Sequence, residues 1–222
     1  PNHHFPSGIT MPASRRYEVL AWANEKPGRY IIEDDYDSEF RPNGKPLPTL
    51  FSIDACERVI YMNTFSKSLT PTIRISYMIL PVHLANRFYS QLSFYACTVS
   101  TFEQYTLAAF IRNGYFEKHI NRMRLYYSRQ RKRLIESIEK SPIREHCRII
   151  ENQSGLHFRI RLDTELSDEA VSRALAEKGI KIQAISEYYL THHFIINYTD
   201  VDVKAMPAVW KTMNLILGGE NK

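Results

Sequence analysis

Ile31-Ile32-Glu33-Asp34-Asp35-Tyr36-Asp37 and Val59-Ile60-Tyr61-Met62-Asn63-Thr64-Phe65-Ser66-Lys67-Ser68 are two short apolar runs, each breaking off into a cluster of reactive side chains. A third apolar run, Ile73 to Leu80, follows. Runs of this length with little alternation predict strands buried on both faces, as in a parallel sheet covered by helices. In such a sheet ligands bind beyond the carboxyl ends of the strands, which is where these clusters stand.

Working outward, residues 12–25 predict a helix with Pro12 near its start and Pro27-Gly28 at its end. Prolines at 42, 46 and 48 mark a loop. Helical spacing dominates from about 82 to 140, with a break expected at Gly114 and a stop at Pro142. Phe116, Ile120, Met123, Tyr127, Leu134 and Ile138 follow the three- and four-residue steps of one helix face. From Cys147 the texture changes. Arg148-Ile149-Ile150, Leu156 to Arg161, Ile180-Lys181-Ile182 and Phe194-Ile195-Ile196 read as strands. Helices are expected near 167–178, ended by Gly179, and over 201–217. The division expected is 1–140, part of a large α/β domain with its connecting helix, and 141–222, a small α+β domain.

Composition narrows the class. The chain has 222 residues, 44% hydrophobic and 24% charged, which fits a folded globular protein and excludes a disordered tail. No apolar run approaches the length of a membrane span, and the first residues have no signal-peptide pattern. Three widely spaced cysteines argue against a disulfide framework or a cysteine zinc site, so the expected setting is cytoplasmic. His192-His193 is not read as a metal site, because adjacent residues of a strand point to opposite faces. The net charge is +5, and between Arg112 and Arg133 eight Lys/Arg stand against Glu117 alone. That run reads as the solvated face of a helix and not as a nucleic-acid patch, since no helix-turn-helix or zinc-finger pattern accompanies it.

Asp34, Asp35 and Tyr36 at one strand end, with Thr64, Ser66 and Lys67 at the other and Arg74 beyond, form a set that suits pyridoxal 5′-phosphate. A lysine amine condenses with the aldehyde. A carboxylate keeps the pyridine nitrogen protonated, so that the ring draws electrons. A phenol bonds the ring oxygen, while hydroxyls and a guanidinium hold the phosphate. No member of the set is specific alone; their order, with Lys67 31 positions after Tyr36, carries the reading.

Ile31 to Arg41, Val59 to Leu69 and Arg74-Ile75-Ser76-Tyr77 resemble the aminotransferase-like domain of MocR-type regulators in the GntR superfamily. Phe5-Pro6-Ser7-Gly8, Arg15-Arg16, Glu103-Gln104 and His119 to Arg124 are similar to the same family. The resemblance is strong over 1–134 and looser beyond. It implies part of a fold-type-I pyridoxal-phosphate domain that senses a small amine-bearing effector, or the cofactor itself, by aldimine chemistry at Lys67. Asp34 would pair with the pyridine nitrogen, with Asp35 as second choice. Tyr36 would contact the ring oxygen, Thr64, Ser66 and Arg74 the phosphate, and His3 would lie in the turn near the ring's oxygen side. The resemblance also implies a homodimer, with DNA bound through a helix-turn-helix domain outside these residues.

Departures from the pattern shape further expectations. Asn63 and Thr72 stand where glycines are expected, which would alter the loop carrying Lys67. In the stretch Ser186-Glu187-Tyr188-Tyr189-Leu190 a glutamate stands where a substrate-carboxylate arginine is expected, leaving Arg159 and Arg161 as substitutes. The chain begins without Met, in what reads as the middle of a domain, so it is expected to be a C-terminal fragment. Two alternatives stay open: an aminotransferase in its own right, in which Lys67 would be the general base, and a remnant that holds no cofactor.

Overall fold

The protein is described from a computed structural model covering residues 1–41, 47–150, 155–186, 190–199 and 201–218. Contacts divide the chain into two compact units. One comprises Pro1–His4 and Thr10–Met123, the other Phe5–Ile9 and Arg124–Lys222.

In the first unit, helix α1 (Ala13–Asn24) leads into β1 (Ile31–Asp34), a 3-10 turn (Ser38–Phe40) and the single-turn helix α2 (Leu50–Ile53). Strand β2 (Val59–Thr64) runs straight into the single-turn helix α3 (Phe65–Ser68), followed by β3 (Ser76–Ile79). The sheet has the order β1-β2-β3. β1 and β2 are parallel, with Asp34 beside Met62. β3 returns antiparallel, with Tyr77 beside Asn63 and Ser76 beside Thr64. The sheet is therefore mixed. All of β3 and the Ile32 and Met62 positions are exposed, so the expected burial on both faces does not hold there. The link from Thr64 to Ser76 explains the direction, being too short for a parallel crossover, which takes a dozen or more residues and usually a helix.

Register sorts the side chains. Glu33, Tyr61, Asn63 and Tyr77 share one face; Asp34, Met62 and Thr64 share the other. At the start of the strands the core is Leu20 of α1 with Leu50 and Val59, flanked by Ile31, Phe51 and Ile53. Burying the three core side chains supplies on the order of 5–9 kcal/mol before conformational entropy is counted. Glu33, 1% exposed, is the polar exception. Its carboxylate accepts the Leu50 and Phe51 N–H groups at 2.9 Å each, satisfying the start of α2. Three helices follow: α4 (Val82–Leu92), α5 (Thr101–Arg112, with Ser100 as its N-cap) and α6 (Tyr115–Glu139). Gly114 supplies the break before α6 at φ 71°.

The predicted apolar face of α6 is real: Ile120, Leu134 and Ile138 are buried and Phe116, Met123 and Tyr127 half-buried, while Arg122, Arg129 and Arg133 are exposed.

In the second unit β4 (Cys147–Ile150), β5 (His157–Leu162), β6 (Gln183–Ala184) and β7 (His193–Asn197) form an antiparallel sheet in the order β4-β5-β7-β6. Helices α7 (Asp168–Ala176) and α8 (Met206–Ile216) accompany it. Phe158, Ile160, Phe194, Trp210 and Tyr198 fill its core, and the Trp210 indole donates to Ser137 Oγ at 2.9 Å. The strand expected at Ile180–Ile182 begins only at Gln183. Ile180 N–H is used to close α7 on Leu175 O, with Gly179 at φ 75°, so pairing with β7 starts later.

Candidate functional site

Because β1 and β2 are parallel, their carboxyl ends lie side by side, and the predicted residues gather on that edge. Asp34 is the last residue of β1 and Thr64 the last of β2; Ser66 and Lys67 sit in α3 immediately beyond. Arg74 precedes β3 by two residues, at the strand end paired with Thr64.

The two aspartates are distinct. Asp35 is buried, and its Oδ2 accepts Ser38 Oγ at 2.8 Å and Tyr61 OH at 3.0 Å. Asp34 is exposed. Strand alternation turns Asp35 toward the covered face and leaves the Asp34 carboxylate outside. Lys67 is also exposed, and among the described residues no ion pair engages its ammonium. Thr64 is committed locally: its hydroxyl accepts Ser66 N–H at 3.1 Å and faces Ile75 O at 3.2 Å, so it caps α3. Arg74 is exposed and adopts φ 49°, a left-handed conformation unusual for a side chain of its size.

Tyr36 and His3 meet at the same end. His3 Nδ1 lies 2.9 Å from both Asp37 carboxylate oxygens, and the Tyr36 hydroxyl is 3.4 Å from the same nitrogen. Burial, then the charges of Asp37, Asp34 and Asp35, pushes the Tyr36 phenol well above its ordinary range. It keeps its proton at neutral pH and is a hydrogen-bond donor.

Three features were not foreseen. Asn63, in a position expected to hold glycine, is built into the strand. Its amide nitrogen donates to Glu39 Oε1 at 3.1 Å and Tyr61 OH at 3.0 Å, and its oxygen accepts Thr64 N–H. With Asp35, Ser38 and Tyr61 this makes a polar chain behind the edge. Burial pushes the Glu39 carboxyl and the Tyr61 phenol up. Second, Arg16 is buried and fastens the segment carrying His3: Nε donates to Met11 O, one terminal nitrogen to Pro48 O, the other to Pro1 O and Asn2 Oδ1. Third, His119 of α6 lies 3.0 Å from Ser68 O, bracing α3. Strand alternation flags Tyr61 and Asn63 as one polar face; nothing local flags Arg16 or His119.

In the second unit Arg159 and Arg161 share one face of β5, with Arg159 half-buried and Arg161 exposed. Burial lowers the Arg159 guanidinium, and burial with these two charges lowers the nearby His193 imidazole. The loop prolines 42 and 46, and the expected carboxylate position Glu187 with Tyr188 and Tyr189, lie outside the described residues. Among the described residues no helix is long and apolar enough to cross a membrane.

Comparison with known proteins agrees with this fold. Residues 1–209 match the family described as aminotransferase class I and II. The chain is 43% identical over 192 residues to the uncharacterized HTH-type transcriptional regulator YdeL of Bacillus subtilis, covering 86% of this chain and 41% of that protein. It is 33% identical over 210 residues to the probable rhizopine catabolism regulatory protein MocR of Rhizobium meliloti, covering 93% and 42%. It is 31% identical to the pyridoxine biosynthesis transcriptional regulator PdxR of Corynebacterium glutamicum, covering 85% and 40%. The chain thus spans about two fifths of these relatives' length. Among solved structures it is similar to a kynurenine aminotransferase of Pyrococcus horikoshii, crystallised with PMP, at TM-score 0.83 and 25% identity, covering 98% of this chain and 55% of that one. The match over residues 1–209, on a fold shared with solved aminotransferases, places this chain in the aminotransferase class I and II family, among relatives that are HTH-type transcriptional regulators.

Proposed function

We propose that this chain is the effector-sensing, pyridoxal-phosphate-binding part of a MocR-type transcription regulator. The observation that carries the reading is the shared edge of β1 and β2, where an exposed Asp34 carboxylate and the Lys67 turn end neighbouring parallel strands. The donor set fits the cofactor: Asp34 for the pyridine nitrogen, the protonated Tyr36 phenol for the ring oxygen, Lys67 for the aldehyde carbon, and Ser66 with Arg74 for the phosphate. Thr64 supports the phosphate end by shaping the turn. His3, held by Asp37, orients Tyr36. The bound cofactor would supply an aldehyde that condenses with amines and a ring that draws electron density.

Within this reading the chain's own residues act as a gate. The Lys67 amine is the group an amine-bearing effector displaces, or the group the cofactor itself engages when it is the signal. Release of Lys67 then favours one of two arrangements of the domain. A homodimer and a DNA-binding helix-turn-helix segment complete the proposed regulator, by analogy with the HTH-type relatives; a cytoplasmic setting follows from that role.

The test is an absorbance spectrum with and without added pyridoxal phosphate, then borohydride reduction and peptide mass mapping. A visible band and a reduced adduct on Lys67, both absent in Lys67→Ala, are expected. An adduct retained in Lys67→Ala would overturn the assignment. Sustained turnover of an amino donor with a keto-acid acceptor would instead favour an enzyme.

A further inference from the structure

The cofactor edge lies at the carboxyl ends of β1 and β2; a different set of side chains gathers at their amino ends. Tyr30 immediately precedes β1, and Glu57 and Arg58 immediately precede β2. β3 runs the other way, so its last residue, Ile79, lies beside Tyr61, and the chain then delivers the first turn of α4, with His83, to the same end. Tyr30 and Asp34 stand four steps apart along one strand, roughly 13 Å at about 3.3 Å per residue.

These side chains form a relay. The Tyr30 hydroxyl lies 2.6 Å from His83 Nε2, and Glu57 Oε2 lies 3.3 Å from His83 Nδ1. A carboxylate only accepts, so the proton of the neutral imidazole sits on Nδ1, and Nε2 is the acceptor for the phenol. Nucleophile, base and orienting acid in that order activate weak hydroxyl nucleophiles. The carboxylate contact is long, as is common in such relays before a reactant binds. The Arg58 guanidinium stands over the Tyr30 ring, 5.7 Å from its centroid, and its Nε is buried with no hydrogen-bond partner. It brings positive charge to the ring whose oxygen gains negative charge when the proton leaves. Glu57 holds φ 54°, an uncommon conformation of the kind that gathers at working sites. The His83 and Glu57 side chains are 46% and 51% exposed, so the relay is open to a dissolved reactant.

We propose that Tyr30 is an acyl-acceptor site, whose hydroxyl takes an acyl group from a small activated ester with His83 as general base and Glu57 as positioning residue. The phenol oxygen bonds to the acyl carbon, and the bond from that carbon to the leaving oxygen breaks. The phenolic proton passes to His83 Nε2 and from there to solvent or to the leaving group. Nothing is oxidised or reduced, and neither Lys67 nor a cofactor takes part. The inference therefore stands apart from the function proposed above.

The probe is p-nitrophenyl acetate, followed by release of p-nitrophenolate and by peptide mass mapping. A fast phase of about one equivalent is expected, with the acetyl group on Tyr30; the chain has 14 tyrosines, and the others serve as internal references. Tyr30→Phe, which keeps the ring, should lose the fast phase. His83→Ala should slow it about a hundredfold, and added imidazole should restore it, which a merely structural histidine would not allow. Glu57→Gln should lower the limiting rate about tenfold and leave the half-saturating ester concentration unchanged. Lys67→Ala should react as the wild type does. Acetyl groups spread over the tyrosines without preference for Tyr30, a fast phase kept in Tyr30→Phe, an unaltered rate in His83→Ala, or a loss there that imidazole does not restore would each overturn the proposal.

Discussion

At the scale of single residues, the neighbours Asp34 and Asp35 carry the sharpest contrast. They are one bond apart in sequence and opposite in environment. Asp35 is consumed by Ser38 and Tyr61, whereas Asp34 stands exposed at the strand end. Substitution should therefore separate cofactor affinity from stability. Asp34→Asn is expected to weaken pyridoxal-phosphate binding about tenfold or more, since an amide cannot hold a proton on the pyridine nitrogen, with little change in unfolding midpoint. Asp35→Asn should cost about 1–3 kcal/mol, because a buried hydroxyl pair loses its charged acceptor. Titration with the cofactor and urea unfolding of both variants check this. Stability loss confined to Asp34→Asn would reverse the assignment. The sequence alone left both aspartates open, with Asp34 preferred through the resemblance; their difference in burial, a tertiary property, could not be read there.

At the scale of elements, the legible part was the pair of apolar runs that break into polar clusters. β1, β2 and the turn bearing Lys67 announce themselves by length and by the abrupt change of residue type. α6 announces itself by the spacing from Phe116 to Ile138. The third run was misleading because apolar content marks a strand without giving its direction or its neighbours, and β3 returns antiparallel with all four residues exposed. What stayed illegible was the tying of distant segments. Arg15-Arg16 was noted only as a resemblance, yet Arg16 fixes α1 to Pro1, Asn2, Met11 and Pro48 through its planar fork. Burial lowers its guanidinium, with the charges of Glu33 and Asp35 opposing that effect. Lysine, a point charge, cannot reach four acceptors in that geometry. Arg16→Lys should thus cost about 2–3 kcal/mol and loosen the segment that holds His3. Hydrogen exchange of the Met11 amide, which donates to Pro1 O at 2.7 Å, reports the loosening. An unchanged exchange rate would show that the fork does not order this segment.

At the scale of the whole molecule, the polar chain behind the site links local chemistry to stability against pH. Burial raises the Glu39 carboxyl above its ordinary range; the Asn63 hydrogen bond opposes the shift, and Asp35 and Asp37 reinforce it. The unfolded chain gives up this proton near the usual glutamate value of about 4.3, while the folded chain holds it to higher pH. Between those two values the folded state binds more protons, so stability falls as pH rises. The favourable contribution is complete below the unfolded value and is lost as pH climbs through the folded one. Glutamine imitates the protonated acid at every pH. Glu39→Gln should therefore match the wild type near pH 4 and become progressively more stable than it toward neutrality. Urea midpoints measured at intervals from pH 4 to 8 give the difference directly, and groups that titrate alike in both proteins cancel. A difference that stays flat over the range would mean that Glu39 ionises in the fold as it does in water. A difference that grows in the stated direction would show that the fold holds the Glu39 proton to higher pH than the unfolded chain does.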